Sequence, residues 1–353
     1  MKRMKRILTC MVLVLLVLVP LFAQPTVEQQ NVVASVITFT DDLGRTVQLP
    51  SKIDRMLPSG TLAQYVLFPL CPDKMIGVGV NWSDSAKGII ADKYLNLPMV
   101  GQIYGSKASF NLEQVLKLDP QVVIDVGERK SGMSENLDKL QQQLGIPIIH
   151  IDATNATMDK AYARLGNLLG CPEEGKLLGD YCRTVLERTK AIVGSTPVQG
   201  IYVLGAKGVN VLAKGSYQSE SVDILMDNLA VLENPSSKGT GNEVDMERIL
   251  SWNPQYVIFS HDAQDVYAHA ATDSLWSQVD AIKDGHFYLA PNTPQDWLGN
   301  PPSVNRFLGL VWAAKMLYPQ AATYDLYEEI AKYFKLFYHA TVSKDQIQAI
   351  IQK

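Results

Sequence analysis

Short apolar runs alternate with stretches of helical periodicity along most of this chain. Parallel strands covered on both faces read as continuous apolar runs, so this alternation predicts a mostly parallel sheet with helices on its faces. In the first half the runs are Ile53–Leu57, Met75–Val80, Val122–Val126 and Pro147–Ile151. The pattern restarts in the second half with Gly200–Leu204, Tyr256–Ser260 and His286–Ala290. We therefore expect two α/β lobes, each built on its own sheet.

One long helix is predicted between the two halves. Pro172 suits a first helical turn, apolar residues recur at helical spacing as far as Ile192, and the segment Gly194-Ser195-Thr196-Pro197 ends the pattern. The 22 positions from Pro172 to Val193 would span about 33 Å at 1.5 Å per residue. A helix of this length is a stiff connector, so a cleft between the lobes should close only modestly. The predicted divisions are a targeting segment (1–23), a disordered N-terminus (24–36), a first lobe (37–170), the connecting helix (171–195) and a second lobe (196–353). An N-terminal hairpin, Val36 to Leu49, opens the first lobe.

A repeated unit supports the two-lobe interpretation. The segment from Asn111 to Ile124 returns as the segment from Asp245 to Ile258, and Glu113 aligns with Glu247 at a distance of 134 positions. Each copy begins with a residue suited to cap a helix and places a carboxylate near the positive end of the helix dipole. Each then reaches an Asp-Pro or Asn-Pro pair that stops the helix before an apolar strand. Two copies so far apart indicate two similar lobes rather than a solenoid.

The N-terminal segment has the features of an export signal. A basic start precedes an apolar stretch from Ile7 to Val19, and Ala23 offers a cleavage site. The stretch is shorter than the roughly 20 residues that span a bilayer, so we expect cleavage, with a retained anchor as the alternative. Removing residues 1–23, with four basic and no acidic side chains, changes the formal net charge from −4 to −8. Binding of nucleic acid is not expected, because it needs basic patches that neutralise the phosphates and this chain is acidic.

Three cysteines follow the signal, namely Cys71, Cys171 and Cys182. In an oxidising compartment they allow at most one internal disulfide and leave one thiol over. Their spacing does not select a pair, and three buried free thiols are the alternative.

These features together resemble the substrate-binding proteins of the iron-siderophore and cobalamin class of ABC importers. The resemblance covers most of residues 37–350 and is carried by an ordered set of motifs rather than by any single one. The set comprises Asp41-Asp42-Leu43-Gly44-Arg45-Thr46-Val47, Pro98-Met99-Val100-Gly101, Leu118-Asp119-Pro120-Gln121, Leu144-Gly145-Ile146-Pro147 and Leu317-Tyr318-Pro319. The family implies a monomeric periplasmic protein with two lobes and a rigid helix, which carries a metal chelate to a membrane permease. It implies neither an enzyme nor a resident cofactor.

In that family a glutamate on each lobe pairs with arginines of the permease. Glu113 and Glu247 occupy the matching positions, so the resemblance implies a docking role for both. The alternative is that each glutamate only complements its helix dipole, which is worth roughly 0.3–1 kcal/mol.

Ligands of open α/β sheets bind beyond the carboxyl ends of the strands, so the loops that follow the strands supply the candidate contacts. Helix amides near Ser59 suit an oxyanion or a carbonyl, Arg129 can hold a carboxylate in a forked contact, and a tryptophan can stack on a chelate. An ordinary surface role is the alternative for every candidate. The full set is Ser59, Thr61, Trp82, Tyr104, Arg129, Lys207, Tyr217, His261, Trp297 and Arg306.

The sequence also bears on three other classes: a bare metal ion, an oxyanion and an exported enzyme. A bare metal site is not expected, because the five histidines form no pair with metal-ligand spacing. Molybdate or tungstate is the main alternative cargo. An exported enzyme is the alternative of a different class, although Ile76-Gly77-Val78-Gly79-Val80-Asn81-Trp82 fails the dinucleotide-binding pattern at its third glycine.

Overall fold

A computed structural model describes residues 35–105, 108–236, 239–299 and 301–352 of the 353-residue chain. The predicted signal segment lies outside these residues. Among those described, no helix has both the length and the apolar character needed to cross a membrane. The predicted hairpin is present, with Val36 paired to Pro50, so Val36 belongs to the hairpin and the expected boundary of the disordered N-terminus at residue 36 is wrong.

The described strands are β1 Val36–Thr40, β2 Thr46–Pro50, β3 Met56–Pro58, β4 Val122–Gly127, β5 Ile148–Asp152, β6 Gln199–Leu204, β7 Asn210–Val211, β8 Asp227–Asn228, β9 Asn242–Glu243, β10 Tyr256–Phe259 and β11 Phe287–Leu289. The described helices are α1 Thr61–Leu70, α2 Asp92–Leu95, α3 Leu112–Leu118, α4 Met133–Leu144, α5 Met158–Leu169, α6 Pro172–Val193, α7 Glu220–Leu225, α8 Met246–Trp252, α9 Gln264–His269, α10 Asp280–Lys283, α11 Arg306–Leu317, α12 Leu326–Phe337 and α13 Lys344–Ile351.

Two separate sheets form, as the alternating pattern predicts. The first lobe holds the parallel sheet β3-β4-β5, and the second lobe holds the order β11-β10-β6-β7-β9 with β8 beside β6. In the second sheet β10 is parallel to both neighbours, whereas β7 and β9 are antiparallel. The strand expected at Met75–Val80 is reduced to isolated bridges at Met75 and Val78. The short strands β7, β8 and β9 escaped the sequence analysis because two residues are too few for a period to be visible.

The repeated segments fold as equivalent units in the two sheets. Asn111 caps α3 by accepting the amide of Gln114 at 3.0 Å, and Asp245 caps α8 by accepting the amide of Arg248 at 2.7 Å. Both helices end in a left-handed residue directly before proline. The strands that follow, β4 and β10, each lie between two parallel neighbours. The helices that carry Glu113 and Glu247 therefore precede strands of different sheets, as the two-lobe interpretation requires.

The predicted connecting helix is observed as α6, with the bounds Pro172–Val193. Its side chains Leu178, Tyr181 and Val185 join one hydrophobic cluster with residues of both sheets. Within each sheet successive residues point to opposite faces, so Ile124 and Ile258 enter this shared cluster, whereas their neighbours pack on the outer faces. The C-terminal helices pack on the first lobe, with the ring centroids of Phe337 and Tyr162 6.3 Å apart. The two lobes are thus braced along one side.

A disulfide joins Cys71 to Cys171, across 100 positions of sequence, and Cys182 is a buried free thiol. Cys71 follows α1 and Cys171 precedes α6. The bond therefore ties the start of the connecting helix to the first lobe.

Candidate functional site

A cavity of about 360 Å³ lies between the lobes, at the carboxyl ends of β3 and β4. The first lobe supplies most of its wall from three segments, residues 59–63, 102–105 and 125–130. The second lobe supplies Tyr217 and Gln218 from one loop, and Gln295, Pro301 and Pro302 from another. Ligands of open α/β sheets bind beyond the carboxyl ends of the strands, and the cavity lies at this place.

The start of α1 is held against the cavity by a close backbone contact. A side chain at Gly79 would place its Cβ 2.6 Å from the backbone of Gly60, so only glycine allows this approach. The amides of Leu62 and Ala63 occupy the first turn of α1, where no helical acceptor exists. Neither amide donates a hydrogen bond within the described part of the chain. Two backbone donors are therefore available at the cavity wall.

Two further donors line the same cavity. The Tyr104 hydroxyl is buried without a hydrogen-bond partner among the described residues, and burial, with a smaller effect from Asp125, raises its pKa. The Lys130 ammonium lies 5.6 Å from the centre of the Tyr104 ring. An unpaired buried hydroxyl is costly, so this group is suited to donate to a ligand.

Behind Ser59 lies a buried chain of polar side chains. The Ser59 hydroxyl donates to Asp125, the other Asp125 oxygen is 2.6 Å from His150 Nδ1, and His150 Nε2 is 2.9 Å from Asp152. Asp152 in turn pairs with Arg129 at 2.6 Å. Burial lowers the pKa of His150, but the hydrogen bonds and charges of Asp125 and Asp152 outweigh burial, and the pKa lies above its ordinary value. The two carboxylates that flank the imidazole thus favour its charged form.

Glu128 is a second acidic group at the cavity. The loop that carries it begins at Gly127, whose φ of 150° favours glycine. Burial raises the pKa of Glu128, Lys130 and Arg306 oppose the rise, and Glu220 adds to it. Unlike Asp125, Glu128 forms no ion pair within the described ranges.

Hydrogen bonds join the two lobes. The Tyr217 hydroxyl, at the cavity wall, donates to the Ala153 carbonyl at 2.7 Å, and Asn155 donates to Ser221 at 3.0 Å. Ser83 donates to the Pro294 carbonyl at 2.6 Å. Burial raises the pKa of Tyr217 to about 12, although the Arg306 guanidinium, 4.4 Å from its ring centre, opposes the rise.

Four of the ten predicted ligand residues line the cavity, and six do not. Those at the wall are Ser59, Thr61, Tyr104 and Tyr217. Thr61 uses its hydroxyl to hold Gln102, at 2.8 Å, rather than pointing freely into the space.

Trp82 and Trp297, which were predicted to contact the ligand, lie in the hydrophobic core instead. Trp82 packs edge-on against Tyr65 and Phe68 and donates to the Tyr94 carbonyl, and Trp297 is fully buried and donates to the Thr293 carbonyl. Neither ring has a free face to stack on a ligand, because the core already covers it.

The other four residues lie outside the cavity wall. Arg129 turns outward to Asp152, and Arg306 is buried beneath Tyr217, where it pairs with Glu220. Lys207 is exposed in a turn, and His261 lines a separate small pocket beside Asn292.

The loop after β4 reaches the cavity, but through residues other than the predicted Arg129. Glu128 and Lys130 face the cavity, whereas Arg129 between them faces away. Asp125, His150 and Gln102 were also missed. Asp125 and His150 interrupt otherwise apolar strands, and this signal was available in the sequence.

Comparisons with known proteins agree with this architecture. A family model described as periplasmic binding protein matches residues 91–294. The chain belongs to this family. It is 27% identical over 345 residues to the molybdate-binding protein MolA of Haemophilus influenzae, covering 87% of this chain and 92% of that protein. It is 25% identical over 193 residues to the Fe(3+)-citrate-binding protein YfmC of Bacillus subtilis, covering 53% of this chain and 58% of that one.

Solved structures show the same fold. An ABC transporter solute binding protein from Sulfurospirillum deleyianum superposes with a TM-score of 0.81 at 22% identity, covering 90% of this chain and 99% of the other. The family resemblance and the two-lobe fold expected from the sequence are therefore confirmed. By family this chain is an extracytoplasmic periplasmic binding protein, and its fold is that of a solute-binding protein of ABC transporters.

Proposed function

We propose that the cargo is a compact tetrahedral oxyanion of the molybdate and tungstate kind. The observation that carries the proposal is a set of four donors at one cavity: the Lys130 ammonium, and three groups without an acceptor among the described residues, namely the amides of Leu62 and Ala63 and the Tyr104 hydroxyl. Oxyanions are recognised by such donors, particularly at the start of a helix. The similarity to MolA over most of both chains supports the same cargo.

Cavity size argues against the larger cargoes implied by the family. A volume of about 360 Å³ lies at the low end of ligand pockets. Both tryptophans considered for stacking are buried in the core. A haem or corrinoid would need a broad apolar slot, which these walls do not provide in the described ranges.

A ferric complex of a small carboxylate is the second candidate. The Lys130 ammonium can pair with a carboxylate, and the partial similarity to YfmC supports this class. Such a complex is a metal chelate, as the family resemblance implies, and it is small enough for the cavity.

The test is a thermal-shift and calorimetric panel with molybdate, tungstate, sulfate, ferric citrate, haemin and cobalamin. At 100-fold over its dissociation constant a true ligand should add about 2.7 kcal/mol to the free energy of unfolding. We expect stabilisation by molybdate and tungstate. Lys130→Ala should weaken this binding, and Lys207→Ala is the matched control because that lysine lies outside the cavity wall. Stabilisation by haemin or cobalamin alone would contradict the proposal.

We further propose that Glu113 and Glu247 dock the protein on the permease. Both side chains are exposed, and neither forms an ion pair within the described ranges. Two carboxylates on separate lobes would orient the protein on two permease subunits and steer their encounter. The protein would act as a monomer, exported by its N-terminal segment, with residues 1–23 removed.

Charge reversal tests the docking role. Glu113→Lys and Glu247→Lys should each reduce uptake in a transport assay while ligand affinity remains unchanged. Glu135→Lys, on an exposed face of α4, is the control and should leave uptake unchanged. Normal uptake in the Glu113→Lys, Glu247→Lys double variant would contradict the proposal.

A further inference from the structure

The two carboxylates at the cavity have unequal surroundings. Asp125 accepts from Ser59 and lies 2.6 Å from a ring nitrogen of His150, so a hydroxyl and a buried imidazole satisfy its charge. Glu128 lines the same cavity and has no such partners among the described residues. When neighbouring carboxyl groups experience different environments, one stays ionised and the other takes the proton more readily.

An entering oxyanion would increase this difference. A dianion bound by Tyr104 and Lys130 would place negative charge near Glu128 in a partly desolvated space, where like charges repel strongly. Protonation of Glu128 removes the repulsion and turns its carboxyl group into a hydrogen-bond donor. The other charged groups that act on Glu128 are Lys130 on its own loop, Arg306 on α11, and Glu220 on α7. Arg306 pairs with Glu220, so Lys130 is the main charge that opposes protonation.

We propose that Glu128 takes up one proton from solvent when an oxyanion enters the cavity and donates that hydrogen to an oxygen of the ligand. The site would then capture an anion and a proton together. No bond to the ligand forms or breaks, and the proton returns to solvent when the ligand leaves. The inference rests on the proposed oxyanion cargo and adds a ligand-contacting residue to it.

The consequence is a defined pH dependence of binding. Burial already raises the pKa of the Glu128 carboxyl group in the free protein, and bound anion would raise it further. Below the free-state value Glu128 is protonated in both states and affinity does not change with pH. Between the free-state and bound-state values affinity falls by up to tenfold per pH unit, because each binding event must take up a proton.

Calorimetry of the full chain with molybdate and with tungstate, from mildly acidic to mildly basic pH, tests this inference. Each titration is repeated in two buffers that differ in ionisation enthalpy, since the difference in heat counts the protons taken up. We expect proton uptake in the wild type, approaching one per ligand within the sensitive window. Glu128→Gln, which carries a permanent neutral donor of the same shape, should keep the low-pH affinity while losing both the pH dependence and the buffer dependence.

Two controls separate this residue from its neighbours. Glu135→Gln changes an exposed glutamate of the same lobe and should behave as the wild type. His150 lies behind Asp125 rather than at the cavity wall, so any proton linkage through His150 would persist in Glu128→Gln. Binding without proton uptake in the wild type, or unchanged uptake in Glu128→Gln, would overturn the inference. Failure of both oxyanions to bind the wild type would instead overturn the proposed cargo, and with it the role of Glu128.

Discussion

Asp125 and His150 are partners across β4 and β5 of the first lobe, whereas Phe259 and Leu289 are partners at the corresponding place in the second lobe. Asp125 and Phe259 lie 134 positions apart, at the spacing of the repeated units. The same scaffold therefore carries a polar pair in one lobe and an apolar pair in the other.

The loops that follow β4 and β10 differ in the same way, because only the loop after β4 brings charged side chains to the cavity. After β4, Glu128 and Lys130 reach the cavity, whereas after β10 His261 reaches a separate pocket. The first lobe thus provides every charged side chain of the cavity wall within the described residues, whereas the second lobe contributes Tyr217, two glutamines and two prolines. The two lobes therefore share helix caps and strand pairing, whereas the charged groups of the cavity wall come from the first lobe.

The largest expected loss of stability comes from removing the disulfide. This bond links the connecting helix to the first lobe, and the second lobe has no counterpart among the described residues. Replacing Cys71 and Cys171 by alanine opens a loop of 100 positions, and the chain-entropy model assigns about 5 kcal/mol to such a loop. Urea unfolding under non-reducing conditions should show this loss. Cys182→Ala, which removes a buried free thiol, is the control and should cost clearly less. Equal stability of the wild type and the double variant would contradict the assignment.

The next effect concerns the polar pair of the first lobe. His150→Leu leaves Asp125 without its buried partner and should cost about 3–5 kcal/mol in mildly acidic solution. Because the folded-state pKa of His150 is raised above the ordinary value of 6.5, its contribution is fully present below that value. The contribution is lost as pH rises through the folded-state pKa.

Denaturant unfolding at several pH values measures this contribution. The difference in stability between the wild type and His150→Leu should shrink as pH rises. Leu289→Ala, at the corresponding place in the second lobe, should give a loss that does not change with pH. If the loss of stability in His150→Leu were also independent of pH, it would show that His150 acts only through packing.

The smallest expected loss of stability comes from the helix caps, a feature that both lobes share. Asn111→Ala and Asp245→Ala each remove a helix cap, and each should cost about 1 kcal/mol of unfolding free energy. The two caps lie in different lobes, so the losses should add in the double variant. Unequal losses in thermal or urea unfolding would show that the two units are not energetically equivalent.

Much of the scaffold could be predicted from the chain itself. The bounds of α6 and the two capped helices follow from local signals, namely proline, glycine, capping side chains and apolar period. The site was predicted less well. Arg129 and Lys130 are adjacent basic residues after the same strand, yet only Lys130 lines the cavity, because Asp152, 23 positions away, holds Arg129 outward.

By itself, the sequence determined the family, the twin units and the stiff helix between them, since these depend on interactions within a few residues or on an ordered set of motifs. Tertiary structure decided which cysteines pair, which tryptophans are buried and which polar side chains meet at the cavity. Those outcomes depend on contacts between distant segments, such as the 2.7 Å hydrogen bond from Tyr217 to the Ala153 carbonyl across 64 positions. Local periodicity carries no information about such partners, because packing selects them only when the lobes come together.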